Sequence, residues 1–308
     1  MGGRYPRFAD PMIAGFRHRL KIFRKRFPSR LPRQAVVVDV GSGHRPHPRA
    51  DILVEKFLDD DYQRGLPFVS GGRPVVVGDV TALPFRDLAA DYIICSHVLE
   101  HIPSAAALRR ALAELTRVAP RGYIETPSVL AEKLIARSFH HWYVALRGGT
   151  LRLRRKVSGD LDPDVVPAML EIERESRTFE NLLWEQFDRF HTRLEWAGGI
   201  PYDIEEREEM ASGGAGPEGW ECVHRHEPLP PRHRIRQRLR NIQKEVLRRC
   251  LWGRRHINLE SLLACPVCRG SLRREEGKGG LGCVDCGRRY PVQNGIPYLL
   301  PELAERSH

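Results

Sequence analysis

Four cysteines stand as two C-x-x-C pairs, Cys265-Pro-Val-Cys268 and Cys283-Val-Asp-Cys286, with fourteen residues between them. Each pair can give two thiolates to one tetrahedral zinc, and Gly270 and Gly287 allow the tight turns such knuckles need. Four thiolates leave no open coordination position, so the expected metal is structural Zn2+ rather than a catalytic ion. Cys95, Cys222 and Cys250 lack partners at such spacing and read as ordinary thiols. A second group of residues suits a bound nucleoside. Asp39-Val-Gly-Ser-Gly43 follows an apolar run, and further acids fall at Glu55 and Asp79. Glycines let a ligand approach the backbone closely. Glu55 could accept from ribose hydroxyls, and Asp79 could face an adenine amino group with the Val80 N–H beside it. A third group carries proton chemistry: Glu125 and His101, with His140 and His141 as further candidates for a general base. Such a base is required only where the acceptor must lose a proton.

Short, unalternating apolar runs would position these groups: 35–40, 51–54, 74–77, 91–95 and 122–125. Runs of this kind suit strands buried on both faces of a parallel sheet. Between the last two, Leu108, Ala111, Leu112, Leu115 and Val118 repeat at helical spacing, with Ser104 as cap and Pro120 as stop. Strands alternating with helices predict a doubly wound α/β sheet, whose ligand crevice lies at the carboxyl ends of the strands. Glu55, Asp79 and Glu125 all close strands, whereas Asp91 opens one and reads as structural. Residues 126–180 read as a substrate-side insertion, with 158–167 as loop, and 187–206 as a hairpin turning at Ala-Gly-Gly.

The series DVGSG, VVGDVTALPF, DYIICSHVLEHI and RGYIETPS resembles the class I S-adenosylmethionine (SAM)-dependent methyltransferases with LPF and HVLEH signatures, over about residues 35–128 and more loosely over 129–206. The resemblance implies a Rossmann-like fold and SAM as cofactor. It assigns Asp39, Gly41 and Gly43 to the methionine-side loop, Glu55 to ribose, Asp79 with Val80 to adenine, and His97 to the sulfonium region. Two features depart from the family: Arg45 replaces its third glycine, and only seven residues separate Gly43 from Asp51. A tight loop is therefore expected in place of the customary helix. A dinucleotide-dependent oxidoreductase would want a third glycine where Pro46 stands. The Asn-Pro-Pro-aromatic signature of methyltransferases acting on adenine and glutamine amino groups is absent. The segment LLACPVCRGSL…LGCVDCGRRYPVQNGIPYLLPE resembles the small zinc-ribbon activator subunit of tRNA, ribosomal RNA and release-factor methyltransferases. In that family the ribbon binds a methyltransferase and keeps it soluble and active; here it is fused in cis.

The chain of 308 residues carries a net charge of +11 that is unevenly spread. Residues 1–34 hold ten Lys/Arg against Asp10 alone, and 225–256 hold eleven against Glu227 and Glu245, so the remaining chain is acidic. Basic appendages of this kind attract an RNA or an anionic membrane surface. The expected organisation is a basic extension at 1–34, a methyltransferase domain at 35–224, a basic linker helix at 225–258 and a zinc ribbon at 259–303. In the linker helix, apolar residues at 235, 239, 242, 246 and 250–251 form a stripe expected to pack on the protein's own body, with a membrane surface as the alternative. No run approaches the roughly 18 apolar residues of a membrane span, and the first thirty residues lack the apolar block of a secretory signal. A cytoplasmic enzyme is expected, acting on a metabolite, glycan or lipid-linked acceptor. RNA methylation is the enzymatic alternative. A catalytically silent SAM-fold scaffold is the other, and Arg45 and the short loop are its supports.

Overall fold

The computed structural model describes residues 31–59, 66–162, 164–207, 256–275 and 279–306, together with most positions between 238 and 250. Residues 1–30, the loop at 211–219, Cys222 and the linker at 226–232 lie outside the described residues.

Five short runs form the parallel core of the sheet: β1 (Val37–Val40), β2 (Ile52–Glu55), β3 (Val75–Val77), β4 (Tyr92–Ser96) and β5 (Arg121–Pro127). Their order, completed by β8 (His191–Ala197), is β3-β2-β1-β4-β5-β8, with β8 antiparallel to β5. The order reverses between β1 and β4, which opens a crevice at their carboxyl ends. Helix α1 (Ala105–Val118) begins where Ser104 Oγ accepts from the Ala107 N–H, and its apolar stripe is buried on the sheet. Gly122 is required on β5 because a Cβ there would lie 2.6 Å from both the Ile93 carbonyl oxygen and the Trp196 ring.

The segment after β5 holds more structure than its sequence suggests. It comprises α2 (Val129–Leu134), a hairpin of β6 (Trp142–Arg147) and β7 (Thr150–Arg155) turning on Gly148 and Gly149, and α3 (Val165–Glu175). Helix α4 (Arg177–Glu185) and α5 (Phe187–Phe190) follow. The expected hairpin over 187–206 does not form. Residues 187–190 are helical, and β9 (Tyr202–Glu205) leaves β8 to pair in parallel with β7. Pro201 allows this departure: its carbonyl accepts from Leu151 N–H and starts the new ladder. The expected loop over 158–167 is likewise interrupted, because α3 starts at Val165.

After α6 (Leu259–Leu262), the ribbon is built of β10 (Leu272–Arg274), β11 (Gly280–Cys283), β12 (Arg288–Gln293), β13 (Ile296–Pro297) and β14 (Glu305–Arg306). It docks on the β3 edge of the large sheet. Tyr298 bridges Val77 in parallel, Leu299 N–H donates to the Val77 carbonyl at 2.7 Å, and Leu263 bridges Phe85. Leu263, Cys265, Leu281, Tyr290 and Leu299 belong to the same buried cluster as Val54, Val76, Leu83 and Phe85. An open sheet edge is a template for aggregation; here the Tyr298–Leu299 stretch covers it. Glu114 of α1 ties the two domains, accepting from Leu83 N–H and pairing with both Arg117 and Arg269.

The basic helix corrects its expectation. At helical positions between 238 and 250, Leu239, Ile242 and Val246 are 55–59% exposed. The polar side faces the protein: Asn241 Nδ2 donates to the His44 carbonyl, and Glu245 pairs with Arg73 and Arg248. These polar partners decide the helix's rotation, because Arg73 is itself buried and needs a counter-charge. No described helix is long and apolar enough to cross a membrane.

Candidate active site

The glycine turn after β1 adopts left-handed backbone at Gly41 (φ +72°) and Gly43 (φ +54°). A Cβ on Gly41 would lie 2.3 Å from Val98 Cγ2, so the glycine also admits the loop after β4. The acids of β1 and β2 converge on this turn. Glu55 Oε1 accepts from Gly43 N–H at 2.5 Å, and Asp39 Oδ2 accepts from His47 N–H at 2.7 Å. Asp79 receives the Thr81 N–H and hydroxyl and pairs with Lys56 at 2.7 Å. Burial raises the Asp79 carboxyl, but the bonds from Lys56 and Thr81 outweigh it and hold the group below its ordinary value. Val80 is buried beside it. No helix fills residues 44–50; Arg45 N–H and Ala50 N–H close turns onto Ser42 and His47, as the shortened spacing predicts. These residues fit an adenosyl cofactor. The glycine turn and the carboxylate of β2 are in contact, as ribose and methionine moieties of one molecule demand, and Asp79 stands one strand further on.

A chain of imidazoles and carboxylates begins at His97. It has φ +58°, an uncommon conformation for a non-glycine residue and one that collects at functional sites. Its N–H donates to the Glu125 carbonyl, and its half-exposed ring lies between two carboxylates. Nδ1 is 3.2 Å from Glu100 Oε1, and Nε2 is 3.6 Å from Glu125 Oε1. Glu125 is 0% exposed and accepts from Tyr123 Oη at 2.5 Å and Ser96 Oγ at 3.2 Å. The sequence marks Glu125 as a base, but its carboxylate is enclosed, and the half-exposed His97 ring stands beside it. His191 packs edge-on against the His97 ring at 5.5 Å and stacks on Phe187 at 3.9 Å.

His101, the second expected base, is deeper. Its ring stacks on Phe139 and meets His140 edge-on at 4.6 Å. Burial pushes His101 down to about 4, against the opposing pull of Glu100. Burial raises Glu100, but His97, His101 and His140 outweigh it and hold that carboxyl at about 2. His140 Nδ1 lies 2.6 Å from Glu132 Oε1, whose other oxygen takes Lys156. The His141 N–H donates to the Glu100 carbonyl, and burial lowers the pKa of its ring. The sequence did not single out Glu100, Glu132, Lys156 or His191. Glu100 sits in the HVLEH signature, but Glu132 and His191 join the site only through the fold of the insertion.

The four ribbon sulfurs lie within 4.8 Å of one another. Cys265 Sγ is 3.8 Å from Cys286 Sγ, and Cys268 Sγ is 3.4 Å from Cys283 Sγ. Zinc–sulfur bonds of about 2.3 Å at tetrahedral angles require roughly this separation, so the cluster fits structural zinc. Gly287 supplies a left-handed turn, as expected. Gly270 acts differently: a Cβ would strike the Asp285 carboxylate, which accepts from Ser271 N–H.

Two sequence families match the chain, a Trm112p-like protein over residues 259–295 and a methyltransferase domain over 59–125. A UPF0434 protein of Methylobacillus flagellatus is 38% identical over 48 residues, 16% of this chain and 80% of that protein. A protein of Encephalitozoon cuniculi, provisionally named a methyltransferase, is 32% identical over 93 residues; these are 29% of this chain and 42% of that protein. Among solved structures, a complex of the Haloferax volcanii Trm112 methyltransferase activator with a provisionally named methyltransferase contains a similar chain. The match has 16% identity, covers 62% of this chain and 92% of that one, and has a TM-score of 0.33. The chain spans about half the length, 51% and 49%, of two further solved chains that it resembles.

Proposed function

The chain belongs to the Trm112p-like (UPF0434) family through its C-terminal domain and carries a methyltransferase domain ahead of it, and from that premise we propose a SAM-dependent methyltransferase in which His97 faces the acceptor. The carrying observation is the His97 ring, held between Glu100 and Glu125 at the carboxyl end of β4, one residue before the Val98 that packs on Gly41. SAM, when bound, supplies the electrophilic methyl, so the protein's own task is alignment and exclusion of water. Asp39, Gly41 and Gly43 shape the methionine side, Glu55 takes the ribose hydroxyls, and Asp79 with Val80 frames the adenine. With Nδ1 donating to Glu100, Nε2 of His97 keeps its lone pair and accepts the proton that an acceptor hydroxyl or amine gives up. Glu125 then stabilises the imidazolium, and Tyr123 and Ser96 hold Glu125 in place.

The acceptor in this reading is a lipid-linked or otherwise amphiphilic anionic molecule. Supporting it are the helix around 238–250, which turns Leu239, Ile242 and Val246 outwards, and the basic composition of the 225–256 segment in the sequence. The test is transfer of labelled methyl from SAM to fractionated cell extract, with wild type and His97→Ala. Label in the lipid-extractable fraction is expected, with turnover in the variant lower by about 10²–10⁴-fold, the usual contribution of a general base. Label removed by ribonuclease would replace this acceptor by RNA, and undiminished turnover in His97→Ala would remove the base from the mechanism.

A further inference from the structure

Beneath His97 lies a second cluster, from which the proposed methyl transfer uses Glu100 alone, to hold the His97 ring. Glu100 is 0% exposed; its Oε1 bonds His97, and its Oε2 has no hydrogen-bond partner. His101 Nδ1 is enclosed and also without a partner. Ligand atoms of Glu100, His101 and His140 all lie within 4.8 Å of one another. A carboxylate oxygen and a ring nitrogen buried in one cluster without hydrogen-bond partners are costly, because buried polar atoms otherwise find them. Their chemical complement is a cation.

We propose that Glu100, His101 and His140 bind a divalent first-row transition-metal ion, distinct from the ribbon zinc. Two imidazoles and one carboxylate form a mixed nitrogen–oxygen set that suits ions from manganese to zinc. Bonds of about 2.0–2.2 Å hold such ligands roughly 3–4 Å apart, so the cluster closes on an ion with small side-chain shifts. The surroundings are those of a metal site. His140 gives Nδ1–H to Glu132, which leaves Nε2 to ligate, and Lys156 fixes the other oxygen of Glu132. This carboxylate–imidazole pairing orients a ligating histidine and raises its basicity. Phe139 stacks at 5.4 Å on the His101 ring and fixes its plane. Three protein ligands leave coordination positions open to water or to an acceptor oxygen, and Glu100 links the ion to His97 directly.

The site is independent of the acceptor's identity and is tested without turnover. Full-length protein with its ribbon zinc in place is dialysed against Co2+, then assayed for both metals by elemental analysis and for absorption bands. The expected result is one Co2+ per chain with zinc unchanged and no cobalt–thiolate charge-transfer band. His101→Ala and His140→Ala should each lose the Co2+ while keeping the zinc and binding S-adenosylhomocysteine as wild type does. No retained Co2+ in wild type would assign the two unpartnered atoms to buried water and overturn the proposal. So would Co2+ uptake that both variants preserve, or uptake that displaces the zinc.

Discussion

His101 shows how burial sets the behaviour of a single side chain. Enclosed by Phe139, His140 and Glu100, it titrates at about 4 because burial disfavours the imidazolium. An unfolded chain binds that proton near the ordinary value of about 6.5. As pH falls from there, the unfolded state takes up a proton that the folded state refuses, so this residue's contribution to stability is lost between pH 6.5 and about 4. In protein carrying no metal but its ribbon zinc, urea unfolding of the variant His101→Phe should show a shallower loss of stability across that window than wild type. An equally steep loss would mean the imidazole is not excluded from protonation. Cys95 illustrates the inert case, with burial pushing its thiol above the ordinary range and no disulfide partner among the described residues.

At the scale of elements, apolar burial and ion pairing can be weighed against each other where the ribbon meets the sheet. Phe85 is fully buried against Leu263, whereas Arg269 is mostly exposed on Glu114. Phe85→Ala should cost about 3–5 kcal/mol, and Arg269→Ala no more than about 1 kcal/mol, measured by urea unfolding. The reverse order would show that the interface is held by charge. The elements that sequence made legible are those with a local cause. Runs such as VVDV and YIIC have no polar alternation and read as buried strands, and Ser104 and Pro120 bracket α1. The glycine turn, its strand-end acids and the two cysteine knuckles were legible for the same reason. What could not be read depends on contacts distant in the chain. Strand β9 pairs with β7 rather than its neighbour β8, and the basic helix rotates to meet the buried Arg73. Glu132 reaches His140 only because α2 folds back beside the hairpin of β6 and β7.

Across the whole molecule, one buried core runs from the β3 edge into the ribbon, including Cys265 and Cys283 themselves. Zinc binding contributes folding energy on the order of 10 kcal/mol in small Cys-rich modules. Loss of zinc should therefore unfold more than the ribbon, since it uncovers Val77 and the edge it belongs to. Cys283→Ser, or chelation of the wild type, should lower the unfolding temperature of the large domain and raise light scattering. Ribbon loss with an unaffected, monodisperse large domain would show that the two fold independently. Near the same sheet, the helix around 238–250 lies over the loops at 44–46 and 69–73 that flank the glycine turn. Whatever surface meets its apolar stripe therefore sits close to the proposed cofactor.

The central claim is that the turn at Gly41–Gly43, with Glu55 and Asp79, holds a SAM-type cofactor, and calorimetric titration with S-adenosylhomocysteine tests it most directly. Zinc-loaded full-length protein should bind one equivalent. Gly41→Val should abolish binding, because its Cβ would collide with Val98 and the backbone there is left-handed. Absence of binding by folded wild-type protein, or binding that Gly41→Val leaves intact, would contradict the account.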